Sequence, residues 1–472
     1  SPHSLCSPHP GYSRHRDLAS QTDEFRALVE ALHAADIGVI LDVVLNHTAE
    51  GGTQGPVINY KGLMPEAFYH HDEGVLRDYT GCGNTINCNH PLVSQTLLRA
   101  LEVWVEEYGV DGFRFDLASV FVRGEDGEPL ANPAFPTAIE FSPTLAGVAL
   151  IAEPWDAVGL YHVGNFPGVA WSEWNGRYRD AMRRFLRGDP GLAGEIATCL
   201  AGSSDLYQAS DRTPASSINY ITCHDGFTLN DLVSYREKHN EANGEDNRDG
   251  WGNNNSWNHG TEGETLEENV VRRRRQDICN AFALLLLSQG VPMLLAGDEV
   301  LRTQRGNNNA WCQDNKLSWF DWRLTETNGN MLRFVREMIA LRKRHPGLSR
   351  ATFLTGETDA ARGIPDIRWY DTELGPAHWN DPETRFLSFT LAGTTPAEEN
   401  LHVLVNMSDH VERVDLPRAA DGHWYVAVDT EIVVDVLRDG GHGFALDERL
   451  VGDPVADDLD HLREDAGRAL AF

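Results

Sequence analysis

Apolar residues recur along the chain with two different periods, which alternate from one segment to the next. One helical face is predicted from positions spaced i, i+3, i+4 and i+7, namely Phe25, Leu28, Val29 and Leu32. Thr22 or Asp23 is placed to cap this helix. The run VILDVVLNH at 39–47 follows and is almost wholly apolar and β-branched. Such a run is typical of a strand buried on both faces of a parallel sheet.

This helix–strand unit repeats. Further helices are predicted at 92–108, which Gly109 ends, and at 271–289. Further strands are predicted at 110–116, 149–156, 217–225 and 290–299. Helices that alternate with buried strands predict βα units and a parallel sheet. Each strand ends in polar residues, and the carboxyl ends of the strands are where a (β/α)8 barrel or an open α/β sheet places its active site.

The pattern changes from about residue 350. Runs of β-forming residues between turns appear at 401–408, 424–430 and 431–437, which predicts a separate antiparallel β domain. Two long connections, 48–91 and 226–270, are rich in Gly and Asn. Loops of this length in compact domains are usually functional.

The predicted strand GFRFD at 112–116 carries two charged residues in an apolar setting. Successive side chains of a strand point to opposite faces, so Arg114 and Asp116 share one face while Phe113 and Phe115 share the other. Charge at the end of a buried strand is costly unless it is paired. Taken alone, Arg114 and Asp116 fit a structural ion pair as well as a functional site.

Polar side chains stand at four predicted strand ends, which a barrel would bring to one rim. They are Asp42, Asn46, His47, Arg114, Asp116, Glu153, His224 and Asp225. Glycoside hydrolysis uses two carboxyl groups, one to attack and one to protonate the leaving oxygen, and a third can stabilise the positive transition state. Taken singly, each residue has a structural explanation. Glu153 fits an acidic loop residue, and His47 fits a buried histidine. His224 and Asp225 fit the cap of a following helix. Their coincidence at successive strand ends favours a site.

Composition and charge narrow the range of partners. The formal net charge of −31 argues against nucleic acid and suits a neutral ligand such as a sugar. There is no apolar stretch long enough to predict a membrane span. The seven cysteines are odd in number and sparse, which argues against a disulfide framework. No ligand cluster predicts a metal, no cofactor is implied, and we expect a cytoplasmic protein.

Four of the motifs resemble the signature regions of glycoside hydrolase family thirteen, the α-amylase superfamily: DVVLNH (42–47), GFRFD (112–116), AEPW (152–155) and ITCHD (221–225). Other stretches are similar to its isoamylase and glycogen-debranching branch: TGCGNTINCNHP (80–91), HDGFTLNDLVSY (224–235), LLLSQGVPMLLAGDE (285–299) and GNNNAWCQDN (306–315). The resemblance is strongest up to about residue 345.

The resemblance implies a (β/α)8 TIM barrel over 1–345, with 48–91 as an inserted loop region, followed by an antiparallel β-sandwich over 346–472. Members of this branch carry a sandwich and two barrel strands before the DVVLNH strand. The chain is therefore expected to lack the first two strands of the barrel. We expect a fragment of a longer polypeptide, with a missing part supplied by a separate chain or a truncated protein as the alternatives.

The resemblance also implies roles for the strand-end residues. Asp116 is expected to be the nucleophile, Glu153 the general acid and base, and Asp225 the transition-state stabiliser. The expected sugar-binding residues are Arg114, His47, His224, Asn46 and Asp42, the last acting from behind the site. The implied reaction is hydrolysis of α-1,6 branch linkages in glycogen, amylopectin or limit dextrins. The alternatives are an α-1,4-acting amylase or 4-α-glucanotransferase, and a truncated, non-catalytic glucan-binding protein.

Overall fold

The computed structural model describes residues 2–15, 17–359, 362–408, 410–418 and 424–430, together with the backbone of 470–471. The chain divides into two compact units. The first comprises Ser1–Trp174 and Leu206–Arg212, and the second comprises Asn175–Asp205 and Thr213–Phe472. The expected division into domains at residues 345 and 346 stays a prediction.

The regular elements are as follows. The α-helices are α1 Leu18–Ala34, α2 Tyr60–Leu63, α3 Pro65–Phe68, α4 Pro91–Tyr108, α5 Ala134–Glu140, α6 Gly176–Arg187, α7 Ala193–Leu200, α8 Ser204–Tyr207, α9 Leu229–Leu232, α10 Glu268–Leu287, α11 Leu324–Thr327 and α12 Gly329–Arg344. The strands are β1 Ile40–Val43, β2 His71–Asp72, β3 Val75–Leu76, β4 Gly112–Phe115, β5 Ala149–Ala152, β6 Trp171–Trp174, β7 Ser217–Asn219, β8 Val291–Pro292, β9 Ile367–Tyr370, β10 Phe386–Leu391, β11 Leu401–Asn406 and β12 Leu470–Ala471.

A parallel sheet forms the centre of the first unit, as the apolar runs predict. Its strands lie in the order β1, β4, β5, β6. Every residue of β4 is buried, and Phe113 and Phe115 are completely covered. β4 and β5 approach so closely that a Cβ on Gly112 would lie 2.7 Å from the carbonyl oxygen of Ala149. The sheet therefore brings the ends of three candidate strands side by side.

The predicted helices are present, but each begins before its expected start, and α1 does so by the most residues. Asp17 caps α1, because its carboxylate accepts the backbone N–H of Ser20 at 2.9 Å. The expected caps Thr22 and Asp23 are therefore wrong, since both lie inside the helix. α4 ends as predicted at Gly109, whose φ of +70° suits a glycine at a helix C-terminus.

The strands are shorter than the apolar runs. β1 ends at Val43, so Asn46 and His47 lie in the connection that follows it. The reason is a change of partner: the carbonyl oxygen of Asn46 accepts the N–H of Ile86 from the long 48–91 connection instead of a strand. The same connection contains the two short helices α2 and α3 and the β2–β3 hairpin.

The second unit contains a parallel pair, β7 and β8, and an antiparallel sheet in the order β9, β10, β11, β12. A parallel sheet and a C-terminal antiparallel sheet are thus confirmed, while a closed barrel and a two-sheet sandwich stay predictions. The run at 401–408 is confirmed as β11. The expected strand at 424–430 is wrong, because 424–428 have no regular secondary structure and Asp429 forms only an isolated bridge. The expected strand at 431–437 lies outside the described residues.

Neither β6 nor α6 is among the elements predicted above from the sequence. The β6 sequence WSEW is short and half polar. α6 has an apolar face at helical spacing, formed by Tyr178, Ala181, Met182, Phe185 and Leu186, but five of its twelve residues are arginines, which make the segment polar overall. Among the helices in the described part of the chain, none combines the length and the apolar character needed to cross a membrane.

Candidate active site

Arg114 is the centre of a charge cluster at the carboxyl ends of β1, β4 and β5. Its Nη1 lies 2.8 Å from Asp42 Oδ1 and 3.1 Å from Asp116 Oδ1, and its Nη2 lies 3.1 Å from Glu153 Oε1. The side chains of Arg114 and Glu153 are only 6% and 3% exposed. Buried charges are tolerated when they are paired, so a single guanidinium holds three carboxylates from separate segments together.

The strand register places these side chains. Asp42 is the partner of Arg114 in the β1–β4 ladder. Asp116 is the first residue after β4, and Glu153 is the first residue after β5. Because side chains alternate along a strand, Arg114 and Asp116 point to the same face. The expected pairing of these two residues is therefore confirmed.

The cation at the centre is permanent. Burial alone would lower the pKa of Arg114, but the carboxylates of Glu153, Asp42 and Asp116 outweigh burial and raise that pKa above its ordinary value. The guanidinium also lies over the ring of Trp174, 4.1 Å from its centroid, which adds a cation–π contact. Trp174 is a site residue that the sequence pattern does not reveal, because it ends the unpredicted strand β6.

Asn46 and His47 hold the second carboxylate of the cluster. Asn46 is completely buried, and its Nδ2 donates to both the backbone oxygen and Oδ2 of Asp116, at 2.7 and 2.8 Å. His47 Nδ1 lies 2.5 Å from Asn46 Oδ1. Burial lowers the pKa of His47, although Asp116 opposes the shift, so the ring is neutral at pH 7 with its proton on Nδ1. The Asp116 side chain itself stays 23% exposed and is open to a ligand.

Glu153 is fixed against the turn that follows Asp116. Its Oε2 accepts the backbone N–H of Leu117 at 2.7 Å, and its carbonyl oxygen accepts the N–H of Ala118 at 2.8 Å. Leu117 has a φ of +42°, in the left-handed region that leucine seldom adopts. Strained backbone of this kind is concentrated at functional sites. The Leu117 N–H is a second functional group without a sequence signal.

His224 and Asp225 lie in the second unit, in the segment after β7. The distance between His224 Nε2 and Asp225 Oδ1 is 3.6 Å, and the two side chains are 52% and 54% exposed. The Gly226 N–H donates to the carbonyl oxygen of Asn308 at 3.0 Å, and the Cys223 thiol donates to that of Asp225 at 3.2 Å. The other six predicted residues come together in the first unit.

The two carboxyl groups nearest the ends of β4 and β5 have different surroundings. Asp116 is partly open to solvent, whereas Glu153 is buried beside it on the same guanidinium. Two carboxyl groups with different surroundings are suited to different roles. Within the described ranges there is no group of three or more His, Cys, Asp and Glu side chains placed to hold a metal ion.

Comparisons with known proteins identify relatives of this chain. No protein-family model matches the chain. The "Glycogen operon protein GlgX homolog" of Mycobacterium tuberculosis is 49% identical over 369 residues, which is 77% of this chain and 51% of the relative. "Isoamylase SU1, chloroplastic" of Zea mays is 42% identical over 442 residues, 89% of this chain and 55% of the relative. The chain belongs to the isoamylase and glycogen-debranching branch of glycoside hydrolase family thirteen.

A third member of this branch, the "Glycogen debranching enzyme" of Enterobacter sp. (strain 638), is 41% identical over 453 residues, 93% of this chain and 65% of the relative. The chain thus spans between about half and two thirds of the length of these relatives. Among solved structures, the apo pullulanase of Paenibacillus barengoltzii has a TM-score of 0.66 at 26% identity, over 89% of this chain and 59% of that one. The pullulanase of Bacillus acidopullulyticus has a TM-score of 0.67 at 24% identity, over 89% of this chain and 46% of that one. At this identity, the likeness shows the fold alone.

Proposed function

We propose that this chain carries the catalytic core of a retaining glycoside hydrolase that cleaves α-1,6 branch linkages in glycogen, amylopectin or limit dextrins. The observation that carries the proposal is the triple contact of Arg114 with Asp42, Asp116 and Glu153, in a chain whose relatives are named isoamylase and glycogen debranching enzyme. Activity and substrates are part of the proposal, because the chain spans about half of the first of these relatives.

We infer further that the parallel strands belong to a (β/α)8 barrel over 1–345 and the antiparallel strands to a β-sandwich over 346–472. The parallel order of β1, β4, β5 and β6, the parallel pair β7–β8 and the likeness to pullulanases support this arrangement. In such a barrel the catalytic groups lie at the carboxyl ends of the strands.

In the proposed mechanism, Asp116 attacks the anomeric carbon while the glycosidic C–O bond breaks and Glu153 gives its proton to the leaving oxygen. Glu153 then takes a proton from water, which attacks the same carbon and releases Asp116. Retention requires the two carboxyl groups to lie about 5–5.5 Å apart. Their shared contact with Arg114 supports such closeness, and Asn46 orients the attacking carboxylate.

The other residues have supporting roles in this proposal. Asp225 stabilises the positive charge that develops on the sugar ring, as a carboxylate can. His47 and His224 hydrogen-bond sugar hydroxyls, and Asp42 braces Arg114 from behind. The connections 48–91 and 226–270 are proposed to select the branch linkage, since they are the long loops of the chain.

The proposal is tested by reducing-end release from glycogen and from linear amylose, with the wild type and Asp116→Asn. We expect release from glycogen only, lowered about 10⁴-fold or more by the substitution. Asp23→Asn is the matched control, because Asp23 is 74% exposed on α1 and pairs with Arg26 at 3.2 Å. Release from amylose, or the formation of longer glucans, would favour an α-1,4-acting amylase or a glucanotransferase. Glucan binding without release would favour the binding protein.

A further inference from the structure

Arg183, on α6, is a buried arginine outside the charge cluster of Arg114. The residue is 6% exposed, and burial together with neighbouring Arg179 lowers its pKa to about 10, so it is charged at pH 7. Within the described ranges, no carboxylate lies at ion-pair distance from Arg183. An unpaired buried charge is costly, and sequences depart from such rules chiefly at functional sites.

The contacts of Arg183 go to the backbone of two connections. Its Nε donates to the carbonyl oxygen of Ile221 at 2.7 Å, and its Nη1 donates to that of Asn254 at 3.4 Å. Its Nη2 has no hydrogen-bond partner among the described residues. A Cβ on Gly226 would lie 3.9 Å from this Nη2. The guanidinium therefore contacts one end of the segment 221–226 and faces the other.

The segment 221–226 has the sequence ITCHDG and carries His224 and Asp225. It needs external support, because both of those side chains are half exposed and their mutual contact is long, at 3.6 Å. Support comes from Asn308, whose carbonyl oxygen accepts the Gly226 N–H, and from the buried Asp298, which accepts the Thr222 hydroxyl. Arg183 supplies the cationic contact to the backbone of this segment.

We propose that Arg183 is a positioning residue, whose guanidinium fixes the backbone of 221–226 and thereby the place of Asp225 and His224. The catalytic part of this inference rests on the proposed function, whereas the ordering of the segment does not. Lysine is not an adequate replacement for Arg183. The single ammonium group of lysine does not reproduce the planar set of N–H donors with which the guanidinium reaches the carbonyl oxygens of both Ile221 and Asn254.

Hydrogen exchange on the whole chain tests the ordering. In Arg183→Met, we expect the backbone amides of 219–229 to exchange about 10-fold faster or more, while those of β4 and β5 stay as in the wild type. Arg342→Met is the matched control. Arg342 is also a buried arginine, and its hydrogen bonds within the described residues go to the carbonyl oxygens of Leu286, Ser288 and Gly290, at 2.7 to 2.8 Å. Equal exchange of 219–229 in the two variants would overturn the proposal.

A double-substitution cycle tests the consequence for activity. In the wild-type background, Arg183→Met is expected to lower kcat for glycogen about 10²-fold with little change in KM, as a small misplacement of a catalytic group does. In the Asp225→Asn background, the same substitution is expected to change kcat by less than about 3-fold, because the two residues act as one unit. A structural role without positioning predicts equal losses in both backgrounds.

The two experiments separate the two proposals. If the wild type releases no reducing ends from glycogen, the proposed function fails, and the exchange of 219–229 still decides whether Arg183 orders the segment. If the wild type is active and the losses in the cycle are additive, the positioning role is wrong and the proposed function stands.

Discussion

At the scale of single residues, burial decides how much an ion pair matters. Arg114 is 6% exposed and contacts three carboxylates, whereas Arg323 is 86% exposed and pairs with Asp321 at 2.6 Å. Water and salt screen the exposed pair. Removal of the buried cation leaves acids together in a poorly hydrated site, which is far more costly. The two arginines should respond differently to the same substitution.

Arg114→Met should lower the free energy of unfolding by roughly 3 kcal/mol. This value is near the low end for a broken buried ion pair, because Asp42 is 54% exposed and water partly screens its charge. The loss follows from the burial of Glu153 without its cation. Arg323→Met should leave stability almost unchanged. Urea unfolding midpoints measure both, and equal shifts for the two variants would contradict the expectation.

A second residue-scale prediction concerns pH. Asp298 is completely buried, it accepts the Leu229 N–H at 2.9 Å, and it also accepts the Thr222 hydroxyl. Burial raises the pKa of Asp298 to about 7; Arg302 opposes this shift and Glu299 adds to it. In the unfolded chain the pKa of an aspartate is about 3.9, so the folded state binds the proton more tightly.

The contribution of Asp298 to stability is therefore fully present below about pH 4 and is lost as the pH rises through about 7. Asp298→Asn cannot ionise, so the fall in the free energy of unfolding between these two pH values should become shallower in this variant. Urea midpoints across that range give the slope. A variant with the slope of the wild type would show that Asp298 does not titrate in this window.

At the scale of elements, the close approach of β4 and β5 requires that Gly112 has no side chain. A Cβ there would lie 2.7 Å from both the Cβ and the carbonyl oxygen of Ala149. Gly112→Ala should therefore separate the strands and lower the free energy of unfolding by about 1–3 kcal/mol. It should also reduce the proposed hydrolysis of glycogen, because the two strands lead directly into Asp116 and Glu153.

Gly38→Ala is the control for this substitution, since its Cβ would lie 3.5 Å from the Asp111 carboxylate, an ordinary contact. Ala149→Gly in the Gly112→Ala background should recover only part of the loss, because the carbonyl oxygen remains. Thermal unfolding of the four proteins tests the series. The expectation is wrong if Gly112→Ala and Gly38→Ala melt alike.

The elements that the sequence predicts are those with one clear period. α4 and its terminal Gly109 were predictable from a regular apolar face and a residue that tolerates positive φ, and β4 from an apolar run. β6 lacks such a period, whereas α6 has one that sequence reasoning missed among its five arginines, formed by Tyr178, Ala181, Met182 and Phe185. The segment 424–430 has the composition of a strand, yet 424–428 have no regular secondary structure, because pairing depends on residues that are distant in the chain.

The candidate site was also predictable in part from the sequence. The polar residues at strand ends, such as Arg114 and Asp116, follow from alternation within one strand. The contacts of Arg114 with Glu153 and with the ring of Trp174 depend on the order of neighbouring strands, which local patterns do not contain. The N–H of Leu117 has no sequence signal, because every non-proline residue carries one.

At the scale of the whole molecule, the net charge of −31 makes a prediction about the substrate. A glucan is neutral, so screening by salt should hardly change its binding, whereas a cationic or polyanionic ligand would respond strongly. We expect the KM for glycogen to change less than about 2-fold between about 50 and 500 mM sodium chloride. A steep salt dependence would point to a charged partner instead.

The contacts of Arg114 with residues in or directly after three strands form only when those strands pair in the native register. If β4 paired with β1 or β5 one residue out of register, Arg114 would turn to the opposite face of the sheet. The carboxylates of Asp42 and Glu153 would then lose their shared cation. A misregistered molecule would keep its strands and helices but would lack this charge cluster. Specific activity would therefore measure the correctly assembled fraction of a preparation, which secondary-structure content does not.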